Sequence, residues 1–444
     1  MRRLVRWLYP GLRIKRWMLL FSMGLVLLIF GGTLVLNYQL LSMVEEQFFR
    51  FIYQVTGQYN YAILALWGFL LALSGAACML VSIRKLVKRF ISLLVPQESK
   101  VSEQMLNRVI RARGPKVTAI GGGHGLSMLL RGLKNKTSNL TAIVTVADDG
   151  GSSGRLREEM DIIAPGDLRN CLVAMADKES LLEESFQYRF GGTGELAGHS
   201  LGNLFLAALI EEFGNAENAL QAASRILNVR GQVIPATTDK VRLSAVMEDG
   251  ATVVGETEIA GYPARIRRLS TLPAEPHAVP SAAEAILQSD LIILGPGSLY
   301  TSVLPNLLVP DLLRAIRESD APCLYVCNVM TQPGETDGFT VSDHLKALIE
   351  HIGPDVIDFV LVNDGRPSEA VLERYKAAGA EPVAIDEAEV KKLGVTLIQA
   401  DLLGEARGAV HDASVLAEEL VRLNGLLHAH IAPELLDEYL RRSR

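Results

Sequence analysis

Residues 116–149 read KVTAIGGGHGLSMLLRGLKNKTSNLTAIVTVADD. KVTAIGG is a short run rich in β-branched residues that ends in glycines. GLSMLLRGLK has the spacing of a helix, and LTAIVTVADD is a second apolar strand. A strand, a helix and a strand in that order build a parallel sheet through a right-handed crossover. Further along, DLIILGPG at 290–297, APCLYVCN at 321–328 and VIDFVLVN at 356–363 are apolar runs of strand length, each followed by a helix-compatible segment. The expected class is therefore α/β, a parallel sheet with helices on both faces, occupying residues 115–444. Residues 241–271 break the pattern: VRLSAVMEDGATVVGETEI suggests strands turned at Glu248-Asp249-Gly250, a small β-rich insertion expected on the sheet's edge. HDASVLAEELVRLNGLL and PELLDEYLRR near the end read as helices.

The first ninety residues follow a different rule. Residues 17–36, WMLLFSMGLVLLIFGGTLVL, and 61–83, YAILALWGFLLALSGAACMLVSI, contain no charge and are long enough to cross a bilayer. A signal peptide has a shorter apolar core and a small-residue cleavage site, and neither description fits the first run. Basic residues flank the pair, Arg2 to Arg16 before it and Arg84 to Arg89 after it, whereas residues 37–60 carry Glu45, Glu46 and only Arg50. Positive flanks stay inside. The expectation is a transmembrane hairpin over residues 1–90 in a bacterial inner membrane, with the N-terminus and the body cytoplasmic. Trp17, Tyr61, Phe48, Phe49, Phe51 and Tyr53 are candidate interface anchors, and residues 91–114 a helical connector.

Charge narrows the ligand. Residues 1–100 hold 12 Lys and Arg against 3 Asp and Glu, which leaves −15 for the remainder of a chain whose net charge is −6. An acidic body without a basic face is a poor match for nucleic acid, which needs many cationic phosphate contacts. A small phosphorylated ligand is still compatible, held by backbone amides and one or two arginines. Cys78, Cys171, Cys323 and Cys327 form neither a zinc pattern nor a disulfide framework and read as reduced thiols.

Six glycine-rich or polar loops sit where strands end. Gly121-Gly122-Gly123-His124-Gly125 lets backbone N–H groups approach a phosphate at a helix N-terminus, though a tight turn that binds nothing would look the same. It lacks the last glycine of the dinucleotide motif and the Lys of a P-loop. Asp148-Asp149-Gly150-Gly151-Ser152-Ser153-Gly154-Arg155 offers acids for a ribose or a divalent cation, and an arginine for a phosphate. Pro165-Gly166-Asp167-Leu168-Arg169-Asn170 opens a helix, with Asp167 a natural N-cap and Arg169 and Asn170 on the first turn. Gly198-His199-Ser200-Leu201-Gly202-Asn203 opens another, where His199 is suited to a phosphate contact or acid–base work. Gly295-Pro296-Gly297-Ser298 and the polar group Asn328, Thr331, Gln332 and Glu335 each follow a strand. The carboxyl ends of parallel strands are where ligands bind, so these loops are expected to converge on one crevice.

VTAIGGGHGLSMLLRGLK, LTAIVTVADDGGSSGRLR, APGDLRNCLVAMAD, FQYRF, GHSLGNLFLAAL, LGPGSLYTSVLPNLLV and YVCNVMTQPGETDGFT together resemble the YvcK-like gluconeogenesis factors, a family related to the CofD-type 2-phospho-L-lactate transferases. The resemblance covers about residues 115–430. It implies a Rossmann-like fold, binding of a UDP-sugar such as UDP-N-acetylglucosamine, and a role in cell shape and carbon metabolism, with cell-wall synthesis proteins as candidate partners. Two departures stand out: His124 replaces the threonine of a GGGTG loop, and the membrane hairpin is an addition to a commonly soluble family.

Two functions compete. As a ligand-sensing regulator, the protein would hold the diphosphate on Gly122, Gly123, His124 and Gly125, on Arg155, and on the turn formed by Gly295, Gly297 and Ser298, with Arg169, Asn170, Asn203, Asn328 and Thr331 as further contacts. As a transferase of a phosphate-linked group, Asp148 and Asp149 would hold Mg²⁺, the one cofactor implied, while Arg155 and Arg169 neutralise phosphates and His199 orients the acceptor. A third reading, NAD-dependent redox chemistry, rests on the fold alone.

Overall fold

The computed structural model describes residues 15–36, 61–94, 110–177, 184–404 and 408–428, with a few positions between 46 and 57. Chain contacts divide it into two compact units, residues 1–107 and 108–444. Part of the connector (95–109), PELLDEYLRR and the basic residues before Lys15 lie outside the described residues.

In the first unit, α1 spans Lys15–Leu36 and α2 spans Tyr61–Leu94. The second helix runs eleven residues past its apolar stretch, through Arg84, Lys85, Lys88 and Arg89. The pair is built inside-out. Leu19, Val26, Leu66, Leu73 and Leu80 face outward, between 57% and 71% exposed, while glycines form the contact. A Cβ on Gly31 would lie 2.5 Å from the Gly68 carbonyl oxygen, and one on Gly75 would lie 2.6 Å from that of Gly24. Small residues let helix backbones approach this closely where van der Waals packing must hold them. At one end the Lys85 ammonium sits 5.7 Å from the centre of the Trp17 ring.

The second unit is a seven-stranded parallel sheet: β1 (Val117–Gly121), β2 (Leu140–Val144), β3 (Gln232–Pro235), β7 (Leu291–Leu294), β8 (Cys323–Val326), β9 (Phe359–Asn363) and β10 (Thr396–Ala400), in the order β10-β9-β8-β7-β1-β2-β3. The helices that matter below are α3 (Gly123–Leu133), α4 (Gly151–Glu159), α5 (Gly166–Met175), α6 (Leu201–Phe213), α7 (Ala216–Ile226), α8 (Glu256–Ala260), α9 (Pro280–Leu287), α10 (Pro310–Glu318), α11 (Val341–Ile352) and α12 (Ala413–His428). The strands read as unbroken apolar runs because both faces are covered. Val117 and Ala119 of β1 point into a core made with α3, α5, α6, α7 and α12, and Ile120 into one made with α9, α10 and α11. Leu126, Leu129, Leu130 and Leu133 recur at helical spacing along α3 and are fully buried, each worth about 2 kcal/mol of apolar burial.

Residues 242–272 form the β-rich insertion, but its expected position is corrected. β4 (Arg242–Met247), β5 (Thr252–Val254) and β6 (Ile266–Leu272) pair antiparallel among themselves, and β3 is the strand at that edge of the main sheet. The first hairpin turns at Glu248-Asp249-Gly250, with Gly250 at φ +87°. Leu243, Ala245, Met247 and Leu269 join Ile120, Ile143 and Leu294 in one core, so the insertion covers a face of the sheet. The alternation of buried and exposed residues along β4 and β6 requires such a partner on one side.

Helices α3 and α12 meet at Gly132, where a Cβ would lie 1.9 Å from the Ala413 carbonyl oxygen; one at Gly425 of α12 meets nothing within 4 Å. Gly132→Ala should therefore lower stability by about 1–3 kcal/mol through overpacking, while Gly425→Ala raises it by about 0.5–1 kcal/mol. Urea unfolding of the two variants measures both, and like signs would refute the packing account.

Candidate functional site

The chain runs outward from β1 to β2 and β3 on one side and from β7 to β10 on the other, so the crevice between β1 and β7 is the sheet's switch point. Two glycine loops meet there. After β1, Gly122 is extended and ends the strand, and Gly123 turns at φ +62° into α3. After β7, Gly295 and Gly297 have φ of +78° and +159°. A Cβ on Gly125 would stand 2.4 Å from the Pro296 carbonyl oxygen, and one on Gly122 would stand 2.6 Å from Asp167 Oδ2.

A cavity of about 310 Å³ opens over these loops. Its lining is mixed: Gly122, His124 and Gly125 come from the first loop, Gly297, Ser298 and Ser302 from the second, and Asn328, Thr331 and Gln332 from beyond β8, among the apolar Met128, Val329, Met330, Tyr375, Ala409 and Val410 and with His411. Asn328 fixes the second loop by donating to Gly297 O at 2.9 Å and accepting from Gly297 N at 3.3 Å. Ser298 donates to Glu335 and caps the following turn, accepting from Thr301 N at 3.2 Å. Thr331 is tied by its hydroxyl and its N–H to the Glu381 backbone, at 3.0 and 2.7 Å.

Arg155, Arg169, Asn170, His199 and Asn203 are gathered elsewhere, at the N-termini of α4, α5 and α6, and none lines this cavity. His199 Nδ1 meets Ser152 Oγ at 3.0 Å, and Asn203 donates to the same hydroxyl at 3.1 Å. Arg169 donates to Ser200 Oγ at 2.6 Å and to Asn170 Oδ1 at 2.8 Å, lying flat on Gly202. Burial first, then Arg155, hold the His199 imidazole below its ordinary pKa. Arg155 is exposed and donates to the Ala197 carbonyl at 2.7 Å. The expected site residues thus fall into two groups, joined through Asp167, which lies against Gly122, and Asp148, which lies against Gly166.

The paired aspartates have separate tasks. Asp149 caps α8, accepting from Glu256 N at 2.8 Å, Thr257 N at 3.0 Å and Thr257 Oγ1 at 2.9 Å. Asp148 accepts from Gly150 N at 2.9 Å, and its other oxygen lies against Gly166. Among the described residues no three His, Cys, Asp or Glu side chains converge to hold a metal ion. The fit to Mg²⁺ is therefore that of a cation bound through few carboxylates and a phosphate, with Asp148 the one of the pair that has an oxygen to give.

Asp167, expected to be an N-cap, lies inside α5, whose cap position is Pro165 with no side-chain cap bond, and Glu256 and His411 escaped the sequence reading. Asp167 accepts from Gly123 N–H, and burial followed by the neighbouring Asp148 pushes its carboxyl up to about 7. Glu256 is pushed up to about 8 by burial, then by Asp148 and Asp167. His411, only 4% exposed with Nε2 unpartnered, is lowered to about 4 by burial. Glu256 belongs to the insertion and His411 to the stretch before α12; no motif marks either, and only the fold brings them near the loops. All four cysteines are free, and Cys171, Cys323 and Cys327 are buried.

A switch-point crevice lined by two glycine loops defines a doubly wound α/β domain of the CofD class, and the family model for 2-phospho-L-lactate transferase CofD matches residues 117–403. The chain belongs to the gluconeogenesis factor (YvcK/UPF0052) family. It is 48% identical to the gluconeogenesis factor of Bacillus subtilis over 310 residues, 70% of this chain and 98% of that one. A Nostoc sp. chain provisionally given the same name is 45% identical over 431 residues, 95% of this chain and 93% of its own. That span takes in the N-terminal helices, so other members share them. A crystal structure from Bacillus halodurans, 48% identical, superposes with a TM-score of 0.67 and covers 70% of this chain and all of that one.

Burial of His411 has a pH consequence. Its folded pKa lies below the unfolded value, so as pH falls from about 6.5 to 4 the unfolded chain gains a proton that the folded chain refuses. Stability is lost over that window, by an amount of order 3 kcal/mol. His411→Leu should flatten the decline in melting temperature between pH 7 and 4.5; an unchanged slope would show that His411 is not held neutral.

Proposed function

We propose that this protein is a nucleotide-sugar-binding regulator held at a membrane, with a ligand of the UDP-N-acetylglucosamine type and an action on cell shape and carbon metabolism. The observation that carries the ligand class is the mixed lining of the cavity. It includes the start of α3, where backbone amides and the helix dipole favour a phosphate. It also includes Tyr375 and Met330, which suit a planar base. That pairing of demands is met by a nucleoside diphosphate better than by a bare anion or an apolar metabolite. The UDP-sugar itself comes from the family resemblance, as does the role in cell shape.

The transferase reading draws on Asp148, which stands beside the glycine loop and could give an oxygen to Mg²⁺ bridging a ligand phosphate. In that case His199 and Asn203 would face an acceptor. Regulation is preferred because, among the described residues that line the cavity, amides, carboxamides and hydroxyls are joined by no carboxylate. Membrane attachment is supported by α1 and α2, each long and apolar enough to span, with 22% and 17% of their apolar windows buried. A core helix of a soluble domain would be mostly covered.

Two measurements test the proposal. Full-length protein in detergent should gain about 2.7 kcal/mol at a hundredfold excess of UDP-N-acetylglucosamine over its dissociation constant, a rise of several degrees, with the ligand recovered intact. Consumption of the ligand, abolished by EDTA, would establish the transferase, and the absence of any shift would remove the nucleotide-sugar assignment. Separately, the chain should stay in the membrane pellet through alkaline carbonate washing; release into the supernatant would contradict a spanning hairpin.

A further inference from the structure

We propose that His411 is a ligand contact of the cavity, its imidazole Nδ1 donating to an acceptor oxygen at the nucleoside end of the bound molecule. This rests on the reading of the cavity as a nucleoside-diphosphate site. His411 lines the cavity yet is only 4% exposed. Its Nε2 is enclosed and has no hydrogen-bond partner, and among the described residues no hydrogen bond or ion pair engages the ring. Nearly all buried polar side chains in folded proteins are satisfied, and one that is not costs stability. An orphan on the lining of a cavity is accounted for when its partner arrives with the ligand.

The backbone fixes where the ring stands. Asp412, the next residue, caps α12 by accepting from Ser414 N at 2.9 Å and Val415 N at 3.0 Å, and its own N–H donates to Leu402 O at 2.7 Å. Ala413 then packs on α3 at Gly132, the end of that helix away from the glycine loop. On the other side of His411 in the chain, Ala409 joins Val329 and Met330, with Tyr375 packed against them. The histidine is thus held between two anchors, and its chain neighbours belong to the apolar part of the lining, which suits a base. The amides that suit a phosphate are at the opposite end of α3.

The chemistry of the ring follows from its surroundings. Nε2 is shut away, so Nδ1 is the polar atom that His411 can turn to the cavity. Buried N–H groups without an acceptor are rarer than buried acceptors without a donor, which puts the ring proton on Nδ1. Burial also keeps the imidazole uncharged down to about 4. A neutral N–H gives a uracil carbonyl or a ribose oxygen its hydrogen bond without the desolvation cost of a cation. In the absence of ligand the same ring is a loss to the fold, stability given up at a binding position.

Calorimetry with UDP on the full-length protein in detergent, near neutral pH, tests this. His411→Leu should raise the dissociation constant about tenfold, the loss expected when a ligand oxygen is left without its donor. Without ligand it should melt no lower than the native protein, because an enclosed unpaired nitrogen has been replaced by an apolar group. A histidine with a purely structural role does the reverse, losing stability when replaced. His411→Asn, whose amide nitrogen reaches the place of Nδ1, should recover most of the affinity. Inorganic pyrophosphate, which has no nucleoside, should compete with UDP with the same inhibition constant on native and His411→Leu protein. Unchanged affinity of His411→Leu for UDP overturns the proposal. Equal weakening of UDP and pyrophosphate also overturns it, by removing the contact from the nucleoside end, and a lower melting temperature without rescue by Asn overturns it in favour of packing. Each of these leaves the nucleotide site standing; failure of the native protein to bind UDP overturns the nucleotide reading itself.

Discussion

The close approach of two backbones at the switch point sets the terms for the rest of this domain. Gly125 lies so near Pro296 that a methyl group would sit 2.4 Å from its carbonyl oxygen. The loop after β1 and the loop after β7 can touch only because neither presents a side chain at the contact. That contact makes one surface of two strand ends, and Asn328 extends it to a third by holding Gly297 through both its backbone groups. Ser298 and Glu335 anchor the far side. Substituents at these glycines would separate the loops and leave three unconnected turns where there is now a wall.

A site built this way would offer an anion backbone dipoles rather than formal charge. The body is acidic, with Asp148 close enough to raise the pKa of Asp167 and of Glu256, and Asp167 that of Glu256. Amides at a helix N-terminus attract an anion without bringing a counter-charge, so the same place tolerates carboxyls nearby when these stay protonated or share a cation. Arg169, by contrast, is almost fully buried and bonded to Ser200 and Asn170, with its chain against Gly202. Its geometry fits the joining of α5 to α6. An arginine beside a glycine-rich loop in sequence is therefore a weak predictor of a phosphate contact: the direction of the side chain is set by which helices must be joined.

The central strands were legible because strands covered on both faces must be apolar throughout, and VTAIG, LTAIV, LIIL and CLYV are. The edge strands β3 and β10 were not read. QVIP carries a proline and TLIQA a glutamine, which are tolerated where one side of the strand lacks a partner. The insertion was recognised as β-structure from its alternation, yet alternation tells only that one face is buried and not what buries it; hence its misplacement on the edge. The glycine loops after β1 and β7 lie against each other, since glycine marks close approach. Asp149 was read as a ligand group although a carboxylate preceding a glycine run caps helices equally well, and the helix it caps lies over a hundred residues away. Glu256 and His411 have no local signature, because their surroundings are made by tertiary contacts alone.

Among the described residues, the three buried clusters of the body are built from its own side chains. Every residue of the three buried clusters lies at or beyond Val117, and Bacillus relatives of nearly the body's length match it at 48% identity. Glycines at the contact between the two helices of the N-terminal unit and leucines outside are an arrangement that a hydrocarbon solvent would favour. What such a unit supplies to a domain that already folds is place. Confinement to a surface raises the effective concentration of any partner at that surface without a new contact, which changes the response of a ligand-controlled protein more readily than it would change the turnover of an enzyme acting on a diffusing substrate.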